Sequence, residues 1–232
     1  MHILAVDTTS AHASVALLAD GELLGVLGFR TARAKHAEQL LPSVDYLLVQ
    51  AESSLGQLDG FAVAVGPGSF TGLRVGIATV EGLAYTLGLP VVGVSALEAT
   101  AHRYRYRRGK LVAFLDAYRG DVYAACFRSD GESLVPLDEP VCIDPEDFLR
   151  ALEASSERPE LIAGNGTLRH DILLRSRMPD TVTIAEPSFF LAEDVARIGA
   201  GKLARGERAP LGGLDALYLR APEAERQREK GV

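Results

Sequence analysis

The chain repeats one arrangement of strands and turns, and this internal repeat constrains its fold more than any other sequence feature. An apolar strand that ends in Asp7 is followed by a polar turn, a second strand, an Asp-Gly hairpin dipeptide and a third strand. A strand that ends in Asp116 begins the same order again, with nearly the same spacing. Because repeated supersecondary units indicate a duplicated architecture, we predict two α/β halves with a boundary near Gly109.

Each half also contains an apolar strand that ends at a glycine turn and is followed by a helix. Gly66 and Gly68 follow the first such strand, and Gly164 and Gly166 follow the second. A glycine turn before a helix directs backbone N–H groups at one point, which suits a phosphate, although a tight turn with no ligand explains the glycines equally well. If the repeat forms a cleft between the halves, its candidate lining residues are Asp7, Thr8, Ser10, Gly66, Gly68, Gly164 and Gly166.

Two helices are predicted in the first half, at residues 34–51 and 70–87, from their apolar periodicity. The second contains Gly72, Gly76 and Gly82, each of which costs roughly 1 kcal/mol relative to alanine inside a helix. We therefore expect a backbone or another helix to pack very close to this helix. The first helix carries apolar residues outside its main stripe, which indicates a second packing partner.

Composition excludes several classes of function. The net charge of −7 disfavours a protein that grips nucleic acid over a broad surface by itself. Cys126 and Cys142 have neither metal-ligand nor redox-pair spacing, so we expect them to act as small apolar residues. No apolar run has the length of a membrane span and the chain begins directly with a strand, so we expect a cytoplasmic protein with no membrane partner.

The basic segment from Arg103 to Arg108 alternates arginine with tyrosine and admits two interpretations. Cations at a helix C-terminus are stabilised by the helix dipole, whereas arginine and tyrosine together also suit RNA. Residues 188–205 are predicted to form a late helix whose solvent-exposed face carries Asp194, Arg197, Lys202 and Arg205. Residues 215–219 are predicted to be a last strand or a docked extended segment.

Five ordered motifs closely resemble the TsaB family, also called YeaZ, of bacterial tRNA threonylcarbamoyladenosine biosynthesis proteins. They are ILAVDTTSAHASVAL, GPGSFTGLRVGIA, LGLPVVGVSALEA, LDAYRGDVY and ALYLR. The resemblance implies an α/β, duplicated actin/Hsp70-like (ASKHA) fold with two subdomains. With the repeat, it divides the chain into residues 1–109, which carry the pairing helices, residues 110–220, and an expected disordered tail, 221–232.

The same family has a catalytic paralogue, TsaD, whose metal ion is bound by two histidines four residues apart on a helix. Four residues apart is the spacing that places both rings on one helix face. The matching positions here are Ala96 and Thr100, and His102 falls on a different face. The resemblance therefore implies that this chain has no catalytic residue, metal ion or cofactor of its own.

The implied function is that of a non-catalytic partner that pairs with TsaD and activates it. Together with the ATPase TsaE, the pair transfers a threonylcarbamoyl group to adenosine 37 of tRNAs that read codons beginning with adenine. The resemblance further implies a homodimer when TsaD is absent, and tRNA contact through the complex. We place the partner contact on residues of the first two helices: Leu40, Val44, Tyr46, Leu47, Arg74, Ala78, Glu81 and Tyr85.

An alternative is a stand-alone enzyme of the same superfamily, either an ATPase or kinase-like protein that binds nucleotide in the cleft, or a peptidase. Against a kinase, the turn at Thr8 to Ser10 replaces a glycine-rich phosphate turn, so Cβ atoms would hinder a phosphate. Against a peptidase, the chain lacks a G-x-S-x-G elbow and a histidine pair with metal spacing. The sequence assigns no contact to Asp116 or Arg119 of the second hairpin.

Overall fold

The computed structural model describes residues 1–30, 36–210 and 212–220. The first sheet has the strand order β3-β2-β1-β4-β5. Its strands are β1 (His2–Asp7), β2 (His12–Ala19), β3 (Glu22–Arg30), β4 (Gly60–Gly66) and β5 (Val91–Ser95). The helices of this half are α1 (His36–Gln50), α2 (Phe70–Leu87) and α3 (Ala96–His102), with a 3₁₀ turn at Leu55–Gln57.

The second sheet has the order β11-β10-β6-β7-β8, and β9 also pairs with β7. Its strands are β6 (Gly109–Asp116), β7 (Val122–Ser129), β8 (Leu134–Pro136), β9 (Val141–Ile143), β10 (Leu161–Ala163) and β11 (Thr183–Ile184). The helices of this half are α4 (Pro145–Ala154), α5 (Gly166–Arg169), α6 (Asp171–Arg177) and α7 (Ala192–Ala204).

The two sheets have the same topology, which confirms the repeat predicted from the sequence. β1 pairs antiparallel with β2 and parallel with β4, as β6 pairs antiparallel with β7 and parallel with β10. On their other sides, β4 and β10 each pair with a parallel edge strand, β5 and β11 respectively. The Asp-Gly hairpin turn is also as predicted, since Gly21 has a φ of 84° between β2 and β3.

Helices cover both faces of each sheet, and two helices lie between the halves. The outer face of the first sheet packs against α1 and α2, and the outer face of the second packs against α4 and α6. Between the sheets, α3 packs on the second sheet, and α7 packs on the first. The boundary near Gly109 therefore separates the strands of the two sheets along the chain. The helix α7 comes after this boundary but packs in the core of the first half.

The structure gives the details of three segments that the sequence left open. The helix α3 ends at His102, before the arginine and tyrosine segment, which continues as turns. Residues 168–176 fall in two short helices that meet at His170. Residues 215–219 form the docked extended segment rather than a strand, with the Leu217 N–H donating to the Val65 carbonyl at 2.7 Å.

The tail predicted at residues 221–232 lies outside the described residues. Within the described ranges, no helix combines the length and the apolar character needed to cross a membrane.

Candidate functional site: a closed cleft and a helical face

Asp7 lies at the end of β1, where the two halves face each other, and it is completely buried. Its Oδ1 accepts hydrogen bonds from the Thr9 N–H at 2.9 Å and from the Thr9 hydroxyl at 2.7 Å. This is the geometry of an aspartate that caps its own turn. Part of the hydrogen-bonding capacity of this carboxylate is therefore used to shape the turn.

Thr8 turns away from the cleft and packs against α2. Its hydroxyl donates to the Gly72 carbonyl at 2.8 Å. A Cβ on Gly72 would lie 2.1 Å from the Thr8 carbonyl oxygen, and one on Gly76 would lie 2.2 Å from the Thr8 Oγ1. The expected close backbone is thus the β1 turn of the same chain, because only glycine leaves space for it. For Gly82 this chain supplies no such neighbour, since no atom beyond its own stretch of helix lies within 4 Å of its Cβ position among the described residues.

The glycine turns are also occupied by the chain itself. A Cβ on Gly68 would lie 2.3 Å from the Thr9 carbonyl oxygen, and one on Gly66 would lie 2.9 Å from that of Leu217. In the second half, Cβ atoms on Gly164 and Gly166 would lie 2.4 and 2.8 Å from the Phe114 carbonyl oxygen. These glycines permit close packing of backbone on backbone, which is a complete physical reason for their presence.

The cleft between the halves is small. Its cavity volume is about 30 Å³, far below the roughly 300–1,000 Å³ of pockets that bind small-molecule ligands. Of the predicted lining residues, Asp7, Ser10 and Gly68 line it. Thr8, Gly66, Gly164 and Gly166 do not, which corrects the prediction, because each packs against backbone or side chains nearby. A nucleotide does not fit into this closed cleft.

Asp116 is the second-half counterpart of Asp7 and also lines the cleft. Its N–H donates to the Asn165 side-chain oxygen at 2.9 Å, and its Oδ1 accepts from the Tyr118 N–H at 2.9 Å. The Arg169 guanidinium lies 3.2 Å from the same oxygen. Asp116 therefore shapes the β6–β7 turn, in which Tyr118 and Arg119 adopt left-handed conformations with φ of 59° and 56°.

The positions that match the paralogue's metal-binding histidines are sealed inside the protein. Ala96 is completely buried and Thr100 is 4% exposed. The Thr100 hydroxyl donates to the Ala96 carbonyl at 2.7 Å. Among the described residues, no group of three or more histidine, cysteine, aspartate or glutamate side chains converges in a way that would hold a metal ion.

The prediction that Asp194 lies on a solvent-exposed helix face is wrong, because the residue is only 3% exposed. Its carboxylate lies 2.9 Å from the His102 Nδ1 and accepts from the Arg103 Nε at 2.9 Å. Arg103 also donates to the Phe190 carbonyl at 3.0 Å and to the Ser188 hydroxyl. The first arginine of the basic segment therefore joins α3 to α7, and RNA contact by this residue would require these bonds to break.

The outer surface of α1 and α2 exposes large apolar side chains. Their exposed fractions are 75% for Tyr85, 69% for Val49, 57% for Tyr46, 48% for Phe70 and 47% for Leu41. We call these five residues, with the exposed Arg74 and Ala78, the helical face. The Arg74 guanidinium lies 4.0 Å from the Phe70 ring centroid, a cation–π distance. An open groove beside it is lined by Ala37, Phe70, Thr71, Arg74, Val75, Ala78 and Thr79.

Three predicted contact residues are not on this surface. Leu40, Val44 and Leu47 are 5% exposed or less and belong to the core between α1 and the first sheet. The apolar stripe of an amphipathic helix covers its own sheet, so these residues support the face without forming it. Glu81 is half-buried and accepts a hydrogen bond from the Leu214 N–H at 3.0 Å.

Sequence reasoning missed two exposed residues of this surface, Leu41 on α1 and Phe70 at the start of α2. The signal for Leu41 was weak, because Leu40 and Leu41 are adjacent and only one of them can point directly at the sheet. Tyr46, Arg74, Ala78 and Tyr85 are exposed, as a contact role requires.

The chain is similar to proteins of known family over most of its length. The family model described as "TsaD: tRNA N6-adenosine threonylcarbamoyltransferase" matches residues 25–194. The tRNA threonylcarbamoyladenosine biosynthesis protein TsaB of Bacillus subtilis (strain 168) is 31% identical over 233 residues, which is 97% of this chain and 96% of that protein. The structure of YeaZ from Pseudomonas aeruginosa has a TM-score of 0.78 at 31% identity and covers 94% of this chain and 99% of that one.

A more distant structure extends the comparison of the fold alone. The Lmo2764 protein of Listeria monocytogenes, a putative N-acetylmannosamine kinase, has a TM-score of 0.50 at 13% identity and covers 89% of this chain and 100% of that one. With the repeated sheet topology, these similarities confirm the duplicated actin/Hsp70-like fold.

Proposed function

The chain belongs to the TsaB (YeaZ) family of tRNA threonylcarbamoyladenosine biosynthesis proteins, and on this premise we propose that it is the non-catalytic partner that pairs with TsaD. In this role it activates TsaD for threonylcarbamoyl transfer to adenosine 37 of tRNA. The observation that carries the proposal is the helical face, which exposes two tyrosines, a phenylalanine, a valine and a leucine on α1 and α2. Large apolar patches of this kind mark interaction sites.

The composition of the helical face fits a protein partner. Tyrosine and arginine are enriched among the residues that dominate binding energy at interfaces, and Tyr46, Tyr85 and Arg74 supply both types. Ala78 is a small exposed residue in the middle of α2, where a partner helix can approach closely. The same face would pair with a second copy of the chain when TsaD is absent.

The closed cleft and the sealed α3 positions support a non-catalytic role. Ala96 and Thr100 supply no imidazole, and the Thr100 hydroxyl is already bonded to the helix backbone. The cavity of the cleft, about 30 Å³, is far smaller than the roughly 300–1,000 Å³ of a small-molecule ligand pocket. We propose that TsaD carries the chemistry, that TsaE joins the pair, and that tRNA is contacted through the complex.

Sedimentation of the chain with TsaD tests the pairing. Tyr85→Glu places a charge on the most exposed of the large apolar side chains of the helical face, so we expect affinity for TsaD to fall about thirtyfold or more, the size of a hot-spot loss of ~2 kcal/mol. Ile172→Glu is the matched control, because Ile172 is 87% exposed on α6, away from this face. Equal affinity of both variants for TsaD would refute the assigned surface.

A reconstituted modification assay tests the activity. It combines tRNA, threonylcarbamoyl-adenylate, TsaD and TsaE with this chain, omits each protein in turn, and includes this chain alone. We expect product only when this chain and TsaD are both present, and little product with Tyr85→Glu. Product from this chain alone would instead support the stand-alone enzyme.

A further inference from the structure

The last described segment of the chain, residues 212–220, runs as an extended strap across both halves. It follows α7 and contains the ALYLR motif, to which the proposed pairing assigns no role. We call these residues the C-terminal strap. Its side chains enter two different cores: Leu214 and Ala216 pack on the cluster beneath α1 and α2, and Leu219 packs on the cluster of α3 and the second sheet.

In the first half, the strap is bound to α2 and to the end of β4. The Leu214 N–H donates to the Glu81 carboxylate at 3.0 Å, and the Leu217 N–H donates to the Val65 carbonyl at 2.7 Å. Gly66 has a φ of 111°, and a Cβ there would lie 2.9 Å from the Leu217 carbonyl oxygen. The β4 turn is thus shaped to receive the strap, because any larger residue would displace it.

In the second half, the strap ends at the β6–β7 turn. The Arg220 guanidinium donates to the Asp121 carboxylate and, at 3.4 Å, to the Tyr118 carbonyl. The Arg220 side chain is 15% exposed, so this pair is better shielded from water than an ordinary surface ion pair. Tyr118 itself lines the cleft, which places the anchor at the wall of the cleft.

The contact with Arg220 also supports the backbone conformation of the β6–β7 turn. Tyr118 and Arg119 both have left-handed φ values, which residues with side chains adopt at a cost. The turn presents its Tyr118 carbonyl to Arg220 and its Asp121 carboxylate beside it. Strained backbone conformations of this kind persist only where the surrounding structure holds them in place. The contacts from Arg220 provide such support for this turn.

We propose that the C-terminal strap is a clasp that sets the angle between the two halves and holds the cleft closed, with Arg220 as its second-half anchor. Folds with two halves around a cleft open by hinge motions, and a tie attached to both walls opposes such opening. Loss of the Arg220 anchor therefore shifts the protein toward a more open cleft without unfolding either half.

A single tryptophan in the cleft measures the opening. The chain contains no tryptophan, and Phe189 lines the cleft with its ring centroid 4.3 Å from that of His12. In a Phe189→Trp parent, we expect Arg220→Ala to raise the population with an open cleft about tenfold, the effect of losing one charged hydrogen bond. Quenching of the tryptophan fluorescence by acrylamide should rise with that population. Arg175→Ala is the control, because its pair with Asp171 lies within α6.

Exchanging the two charges tests the anchor itself. The double variant Asp121→Arg, Arg220→Asp restores an opposite-charge pair, and we expect quenching to return toward the parental value. Quenching that stays at the parental value in folded Arg220→Ala overturns the clasp. Quenching that is as high in the charge-exchange double variant as in Arg220→Ala overturns it as well. Urea unfolding of every variant establishes that the measurement is made on folded protein.

A second variant and a label-free measurement cover a failure to fold. Arg220→Gln keeps a long polar side chain without the charge, and amide hydrogen exchange in residues 7–10 and 165–167 reports the two cleft walls directly. Faster exchange in both walls than in the parent supports the clasp, and parental exchange in both overturns it. Neither measurement needs TsaD or tRNA, so the clasp and the proposed pairing fail independently.

Discussion

Three glycines in α2 look alike in the sequence and have different surroundings in the structure. Gly72 and Gly76 face the Thr8 turn, where a Cβ would lie within 2.2 Å of an oxygen atom. Gly82 is exposed, and among the described residues no heavy atom beyond its own stretch of helix lies within 4 Å of its Cβ position. The first two glycines are required by close packing within the chain, whereas the third has no such contact there and lowers the stability of the helix.

Alanine substitutions should therefore have opposite effects on the free energy of unfolding. We expect Gly72→Ala to lower it by about 3 kcal/mol, since the backbone must move to admit the methyl group. We expect Gly82→Ala to raise it by about 1 kcal/mol, from helix propensity alone. Urea unfolding of both variants checks the pair, and destabilisation by Gly82→Ala would show that an interaction at Gly82 has been overlooked.

The two cysteines should differ in reactivity. Burial raises the pKa of the Cys126 thiol to about 12, and the neighbouring Asp138 carboxylate adds to the shift. Because the thiolate is the reactive species, a raised pKa keeps Cys126 protonated and inert near pH 8. Cys142 is only half-buried.

We expect a thiol reagent at pH 8 to modify Cys142 in the folded protein and Cys126 only after denaturation. Mass spectrometry of peptides from native and denatured samples locates the label. Cys142→Ser is the control, in which the native protein should remain unlabelled. Rapid labelling of Cys126 in that variant would contradict the burial of its thiol.

The charged residues of the helix α7 were predicted to be exposed to solvent, but in the structure they make contacts within the protein. Its charged residues Asp194, Arg197 and Lys202 read as a solvent-exposed face in the sequence. In the structure, Asp194 points at α3 and binds Arg103 and His102, while the Lys202 ammonium donates to the Gly93 carbonyl at 3.0 Å. The helix lies between the two sheets, so its polar residues make contacts within the protein.

Removing the charge of Asp194 should be costly. Asp194→Asn leaves the Arg103 guanidinium without its carboxylate in a largely buried site, and we expect a loss of about 3 kcal/mol in the free energy of unfolding. Glu193→Gln is the control on the same helix, because its pair with Arg197 is more exposed and worth less than about 1 kcal/mol. Similar urea midpoints for the two variants would contradict a structural role for the Asp194 cluster.

The two halves of the molecule depend on each other despite their repeated topology. The inner face of the first sheet, which includes Ala5, Ala62 and Ala64, is covered by α7 from the second half of the chain. A Cβ on Gly199 of α7 would lie 2.3 Å from the Ala62 Cβ, so this helix packs directly onto the sheet. Residues 1–109 are therefore a unit of sequence whose core is completed by a later helix.

We expect a fragment of residues 1–109 to be incompletely folded, with poor amide dispersion in NMR spectra, because its inner sheet face is uncovered. Adding a separate fragment of residues 110–232 should restore dispersed signals. The intact chain at the same concentration is the control. A fragment 1–109 that gives a native-like spectrum alone would show that the division by sequence is also a division by stability.

The order of elements, the repeat and the family followed from the sequence alone. These features are local: strand alternation, Asp-Gly turns, glycine turns and helix periodicity depend on residues close together in the chain. The Ala96 and Thr100 positions could be read in the same way, because four residues on a helix are neighbours. The two helices assigned to the partner contact, α1 and α2, do expose large apolar side chains, including Tyr46 and Tyr85, while their pairing with a partner stays a prediction.

Tertiary structure alone decided which residues remain available at the candidate sites. Asp194 and Arg103 lie 91 positions apart in the chain, and Thr8 and Gly72 lie 64 apart. No local pattern predicts that such residues meet, because their contact depends on how whole helices pack on the sheets. That packing buries Leu40, Val44 and Leu47, closes the cleft to about 30 Å³ and brings Arg220 to the β6–β7 turn.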